Sequence, residues 1–249
     1  MMRAVKSAVW LAAAILVAGT AAAQTADELI EKHLAAMGGR AALGKLTTQT
    51  ASGTITVSVQ GNDLTGSIDV FHKAPNKSRT FFKMDLSAFG MGEMVVDRRC
   101  DGTTAFESNS MQGDREVTGS QLQAMLNETF PTPFLTYKEA GTKVEVVGKE
   151  KLEGRDVTVL VVTPKTGPAS RQYLDENYLM VRSVSKMDVP ELGGEVEQTT
   201  DVSDYREIEG IKVPFVIRVA TPVSGVGITL TRVEFNKPIE DAMFSRTGK

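Results

Sequence analysis

The chain carries two imidazoles, His33 and His72, and a single thiol, Cys100. Zinc binding draws on clustered His, Cys, Asp or Glu, and these histidines, far apart in sequence with one cysteine between them and the C-terminus, build no zinc signature. Nucleophilic triad chemistry would require one of the imidazoles to meet a serine and a carboxylate. No Gly-x-Ser-x-Gly elbow or comparable context is present. His33 sits beside Leu29 and Leu34 in a helical pattern and His72 follows Phe71 at a strand end, so a structural or solvated role suits each. Gly38-Gly39 ends a helix and Gly225-x-Gly227 lies in the approach to a strand, so neither offers a phosphate a helix N-terminus. Paired carboxylates occur as Asp175-Glu176 and as Glu195 with Glu197; the first pair reads as the polar centre of a hairpin. No catalytic residue, metal or cofactor is therefore expected, and a hydrolase built on His33 or His72 is the remote alternative.

The other notable chemistry is apolar. Between Phe81 and Phe134 the chain concentrates Phe81, Phe82, Met84, Leu86, Phe89, Met91, Met94, Met111, Leu122, Met125, Leu126, Phe130 and Phe134. Flexible thioethers and aromatic rings suit an adaptable apolar site, because Met re-packs around guests of different shape. Ordinary core is the competing reading. If the residues form a site, one strand face bearing Phe82, Met84 and Met94 would pack in a single layer against a helix bearing Leu122, Met125 and Leu126, with Phe130 beside them.

The elements that must position these residues follow from periodicity. Thr25 to Met37 predicts one long helix, with Leu29, Ile30, His33, Leu34 and Met37 at helical spacing, Thr25 as its cap and Gly38-Gly39 as its stop. A short helix over Ala41 to Leu46 follows. From Thr47 the period becomes two: Ile55, Val57 and Val59; Ile68 and Val70 after Gly61-Asn62-Asp63; then Phe82, Met84 and Leu86. Roughly ten strands are expected, mostly in an antiparallel meander. The run Ile211 to Val219 contains Pro214, whose missing amide should face away from a ladder, at an edge or bulge. Ile228 and Leu230 are out of phase with Val233 and Phe235, which predicts a bulge near Thr231-Arg232. Leu122, Met125 and Leu126 define a short mid-chain helix ended by Thr129-Phe-Pro-Thr-Pro.

Arg3 and Lys6, the apolar run Ala8 to Gly19 and the small residues up to Ala23 have the pattern of a secretory leader over residues 1–23. That run is too short for a spanning helix of about 20 residues. Gln24, where a lipid anchor would need cysteine, predicts a soluble product after cleavage. The whole chain has 28 basic and 31 acidic residues, a formal charge of −3. Loss of Arg3 and Lys6 makes the remainder more acidic, which leaves no electrostatic footprint for nucleic acid or anionic headgroups. Residues 24–249 are expected to form one domain, a monomer without internal disulfide, with Cys100 as a small buried hydrophobe.

Five stretches carry a resemblance: Ala26–Gly39, Asp101–Phe106, Tyr173–Arg182, Thr200–Phe215 and Val233–Phe244. Together they resemble the LolA/LolB-like periplasmic proteins of outer-membrane lipoprotein sorting, and the first two are similar to an uncharacterised branch of that group. The resemblance implies a mainly β (α+β) fold in which a strongly curved antiparallel sheet forms an unclosed half-barrel. An N-terminal helix and a short mid-chain helix would then plug its concave face over a hydrophobic cavity. It also implies a periplasmic binding or carrier role for lipid acyl chains or lipid-modified proteins. An alternative within the same fold is an envelope sensor or docking module that meets a transient protein partner without a lipid occupant. The arginine that retains cargo in the sorting chaperone has no assignable counterpart in this chain.

Overall fold

In the computed structural model, which describes residues 24–59, 61–189 and 194–246, the period-two stretches become strands of one antiparallel sheet. The first meander contains β1 (Thr48–Val59), β2 (Asn62–Lys73), β3 (Lys77–Asp85), β4 (Glu93–Cys100), β5 (Ala105–Asn109) and β6 (Gly113–Val117). The second contains β7 (Lys143–Leu152), β8 (Arg155–Thr163), β9 (Ser170–Leu174), β10 (Met180–Val189), β11 (Gly194–Ile208), β12 (Ile211–Ala220) and β13 (Ser224–Phe235). The spatial order is β6-β5-β4-β3-β2-β1-β13-β12-β11-β10-β9-β8-β7. The sheet stays unclosed, with β6 and β7 as its two edges, which is the half-barrel. Thirteen described strands exceed the ten expected, because short strands such as β6, whose residues are exposed up to Val117, lack apolar alternation. The leader assigned to residues 1–23 lies outside the described residues.

Helix α1 (Ala26–Ala36) starts where its cap requires. The Thr25 hydroxyl accepts the Glu28 N–H at 3.2 Å, and the Glu28 carboxylate accepts the Thr25 N–H at 3.0 Å, which completes a capping box. Leu29, Ile30 and Leu34 are fully buried along its inner face. Burial of each such side chain contributes about 1.5–3 kcal/mol. Helix α2 (Arg40–Leu43) follows at once and buries Leu43. Both helices join Phe130, Phe134 and Tyr137 in covering the middle of the sheet, where Ala51, Val213, Phe215, Leu230, Val233 and Phe235 point inward. Helix α3 (Gly119–Asn127) packs farther out, with Leu122, Met125 and Leu126 against Cys100, Ala105 and Val117.

Of the neighbouring strand pairs, β1 with β13 is the one whose members are far apart in sequence. The predicted bulge is present in it. Arg232 pairs with Ser52 and Leu230 with Gly53, so Thr231 is the extra residue. Gly53 is required there, since a Cβ would stand 2.3 Å from the Thr229 carbonyl oxygen. On its other side β13 pairs with β12 over Val216–Ala220, and the ladder ends there. Below that point the two strands part. The Lys212 N–H turns to the Met37 carbonyl at the end of α1, 2.9 Å away. Pro214 is two residues on and shares that orientation, so its missing amide faces the parted side rather than the β11 ladder, as the sequence required.

The packing predicts unequal sensitivities on the two helices. Leu34→Ala, at a fully buried site, should lower unfolding free energy by about 2–5 kcal/mol. Met125→Ala, at a half-buried site on α3, should cost under about 2 kcal/mol. Urea titration of both variants checks this, and equal losses would contradict the layering described.

Candidate hydrophobic ligand site

The parting of β12 from β13 opens a cavity of about 240 Å³ on the covered side of the sheet. Period two supplies its floor: Ala51 of β1, Val70 of β2, Ile211, Val213 and Ile217 of β12, and Ile228 and Leu230 of β13 lie in the inward phase. Met37 at the end of α1, with Leu43 and Leu46 from α2 and the turn after it, closes one side. Phe130 and Pro131 close another, and the Phe130 N–H donates to the Pro75 carbonyl at 2.8 Å, which ties this arm to the β2–β3 turn. Lys212 and Pro214 also border the space, but they alternate with the inward Ile211 and Val213, so their side chains take the opposite face.

Two neutral polar groups interrupt this apolar wall. Gln49 of β1 and His72 of β2 are directly opposite in the ladder and both border the cavity. His72 is in phase with Ile68 and Val70, and its ring stacks on Phe130 with centroids 5.9 Å apart and planes 8° from parallel. Its Nδ1 is buried without a hydrogen-bond partner. Burial pushes the His72 imidazolium down to about 4, so the ring is neutral at pH 7. His33, on α1, is a different case. Burial lowers it too, opposed by its bond to the Tyr178 carbonyl at 2.8 Å, which requires the proton on Nδ1.

The seven residues singled out in sequence fall into three packed clusters. Met84 is buried with Ile55, Ile68 and Leu86, and Phe82 and Met94 pack on that group. Leu122, Met125 and Leu126 pack on Cys100, Ala105 and Val117. The structure thus does not join the β3–β4 set to α3 in one cluster. Phe130 alone of the seven borders the cavity. Met37, Leu43, Leu46 and His72 also border the cavity and were not singled out in sequence, although a histidine in phase with Ile68 and Val70 was a legible signal.

Buried Glu107 is raised by desolvation, but Arg98 and Arg115 more than offset this and hold it below the usual range, donating at 2.8 and 3.0 Å. Burial raises the Cys100 thiol, which fits an inert core residue. Among the described residues no group of three or more His, Cys, Asp or Glu is placed to hold a metal. No described helix is long and apolar enough to cross a membrane.

The histidines carry a pH signature. Both lie below their ordinary value of 6.5 in the fold, so the unfolded chain protonates first as pH falls. Stability is complete above about pH 6.5 and is lost toward pH 4, with His72 contributing up to about 3 kcal/mol. Paired carboxylates such as Asp101, held at about 2 by hydrogen bonds from Thr103 and Thr104 against desolvation, add their loss only at lower pH. Urea midpoints between pH 7.5 and 4.5 should therefore fall less steeply in His72→Phe than in wild type. Identical slopes would contradict a neutral, buried His72.

No family model and no curated protein matches the chain. Solved structures do. A DUF1329 family protein from Desulfovibrio piger is 16% identical with a TM-score of 0.58, over 87% of this chain and 95% of that one. A domain described as that of an outer membrane lipoprotein-sorting protein from Vibrio parahaemolyticus is 10% identical with a TM-score of 0.58, over 88% and 95%. A LolA superfamily protein from Nitrosomonas europaea is 12% identical with a TM-score of 0.59, over 90% and 99%. The likeness is one of fold over nearly the whole length of each, and the chain has the LolA-like fold that its sequence resembled.

Proposed function

We propose that the protein is an exported, non-enzymatic carrier that shelters an acyl chain, borne by a lipid or by a lipid-modified protein, in the cavity beside β12 and β13. The observation that carries this reading is the apolar cavity itself, placed where two strands of an otherwise continuous sheet part. At about 240 Å³ it is somewhat below the roughly 300–1,000 Å³ of drug-sized sites, a volume that suits one alkyl chain better than a whole lipid. Burial of about eight methylenes at roughly 0.8 kcal/mol each supplies about 6 kcal/mol before the cost of association. No nucleophile or base is needed. The lipoprotein-sorting description of a structural neighbour and the leader-like residues 1–23 agree with work in the periplasm, where an acyl chain must cross water between membranes.

Native mass spectrometry of the chain expressed with its leader and purified without detergent tests the proposal. Wild type should retain a bound mass that organic extraction releases as an acyl lipid. Val70→Trp, which narrows the cavity from a half-buried position, should remain folded and lose that mass. Absence of any acyl species, or undiminished binding in a folded Val70→Trp protein, would count against the carrier. An envelope protein retained in place of a lipid would favour the docking alternative.

A further inference from the structure

The cavity is not uniformly apolar, and its polar part is unlike that of a site for a charged head. His72 has a buried Nδ1 without a partner, yet the residue as a whole keeps some accessible surface and borders the cavity. Its Nε2 edge is therefore the one that meets an occupant. Stacking on Phe130 fixes the ring plane, and the ladder places the Gln49 side chain next to it, about 4.5–5.5 Å away at Cβ. No acceptor reaches the sealed Nδ1, so the ring's proton is better placed on Nε2, whose N–H a carbonyl oxygen in the cavity can accept.

Charge narrows the ligand class. Lys212 is the one cation among the described residues that line the cavity, and it alternates with inward residues and takes the opposite face, so a carboxylate bound among Val70, Leu230 and His72 would meet no cation of that lining. Burial opposes protonation of His72 as well. An unpaired buried carboxylate is strongly disfavoured, whereas a neutral carbonyl needs one donor.

We propose that His72, seconded by Gln49, is the polar anchor of the cavity, and that it selects an acyl chain ending in an uncharged carbonyl, an ester or amide, over the free fatty acid. This rests on the carrier reading and names its ligand class. The neutral ring donates Nε2–H to the carbonyl oxygen, while the chain lies along Val70, Leu230 and Met37.

Calorimetric titration of the full-length mature protein with methyl decanoate and with decanoate at pH 7.5, both below micelle formation, reads the selectivity directly. Wild type should bind the ester at least about tenfold more tightly. His72→Phe, which keeps ring shape and stacking, should bind both, with the ester losing about tenfold and the preference falling accordingly. His72→Leu serves if the phenyl ring does not fit, judged by the thermal melt. Binding of both ligands with equal affinity by wild type, or an ester preference that survives in His72→Phe, overturns the anchor and leaves the carrier intact. Binding of neither ligand by folded wild type overturns both.

Discussion

The pairing of β1 with β13 is the interaction on which the architecture depends. The other ladders join strands adjacent in sequence and close short loops, whereas this one brings together the two ends of the sheet-forming chain. Its loop-closure entropy must be met by long-range contacts, which the buried Ala51, Ile55, Leu230, Val233 and Phe235 supply. Its register also has a consequence for the site. The extra residue at Thr231 bends β13 next to Gly53, and β13 then leaves β12 below Val216. The end of α1 takes up the Lys212 amide where a strand partner would otherwise stand, and the cavity lies beside that substitution.

A cavity placed at such a parting reconciles two opposing demands. The middle of the sheet must be covered to bury Phe215, Phe235 and their neighbours, and α1, α2 and the Phe130–Tyr137 arm do so. Complete close packing would leave no room for a guest. The parted strands keep room without exposing the core, and the unpaired backbone is served by a helix end instead of a ladder. His72 belongs to the same compromise, since a neutral imidazole against Phe130 tolerates an apolar setting that an imidazolium would not.

Much of the fold was legible in local chemistry. Thr25 announced the start of α1 because an N-cap is a short-range device. The phase slip between Leu230 and Val233 announced the bulge because side-chain alternation records it directly. Pro214 announced a missing ladder, though not that a helix end would occupy the space. Edge and near-edge strands were harder to count, since β6 and β7 are exposed over much of their length and carry little apolar alternation. The site was only partly legible. Phe130, singled out from the density of apolar residues, borders the cavity, but that density also marked Met84 and Met125, which fill two other clusters. Met37 and Leu43 meet His72 only when α1 and α2 fold over the sheet, which no local pattern encodes.

The most direct measurement of the central claim is where an acyl chain sits. Isotope-edited nuclear Overhauser spectra of protein with labelled methyl groups and unlabelled methyl decanoate would locate it. The account predicts contacts from the alkyl chain to the methyls of Met37, Leu43, Val70 and Leu230, with the ester end nearest the His72 ring. Contacts to Met125 and Leu126 of α3 instead, or none to the Met37–Leu230 set, would contradict it.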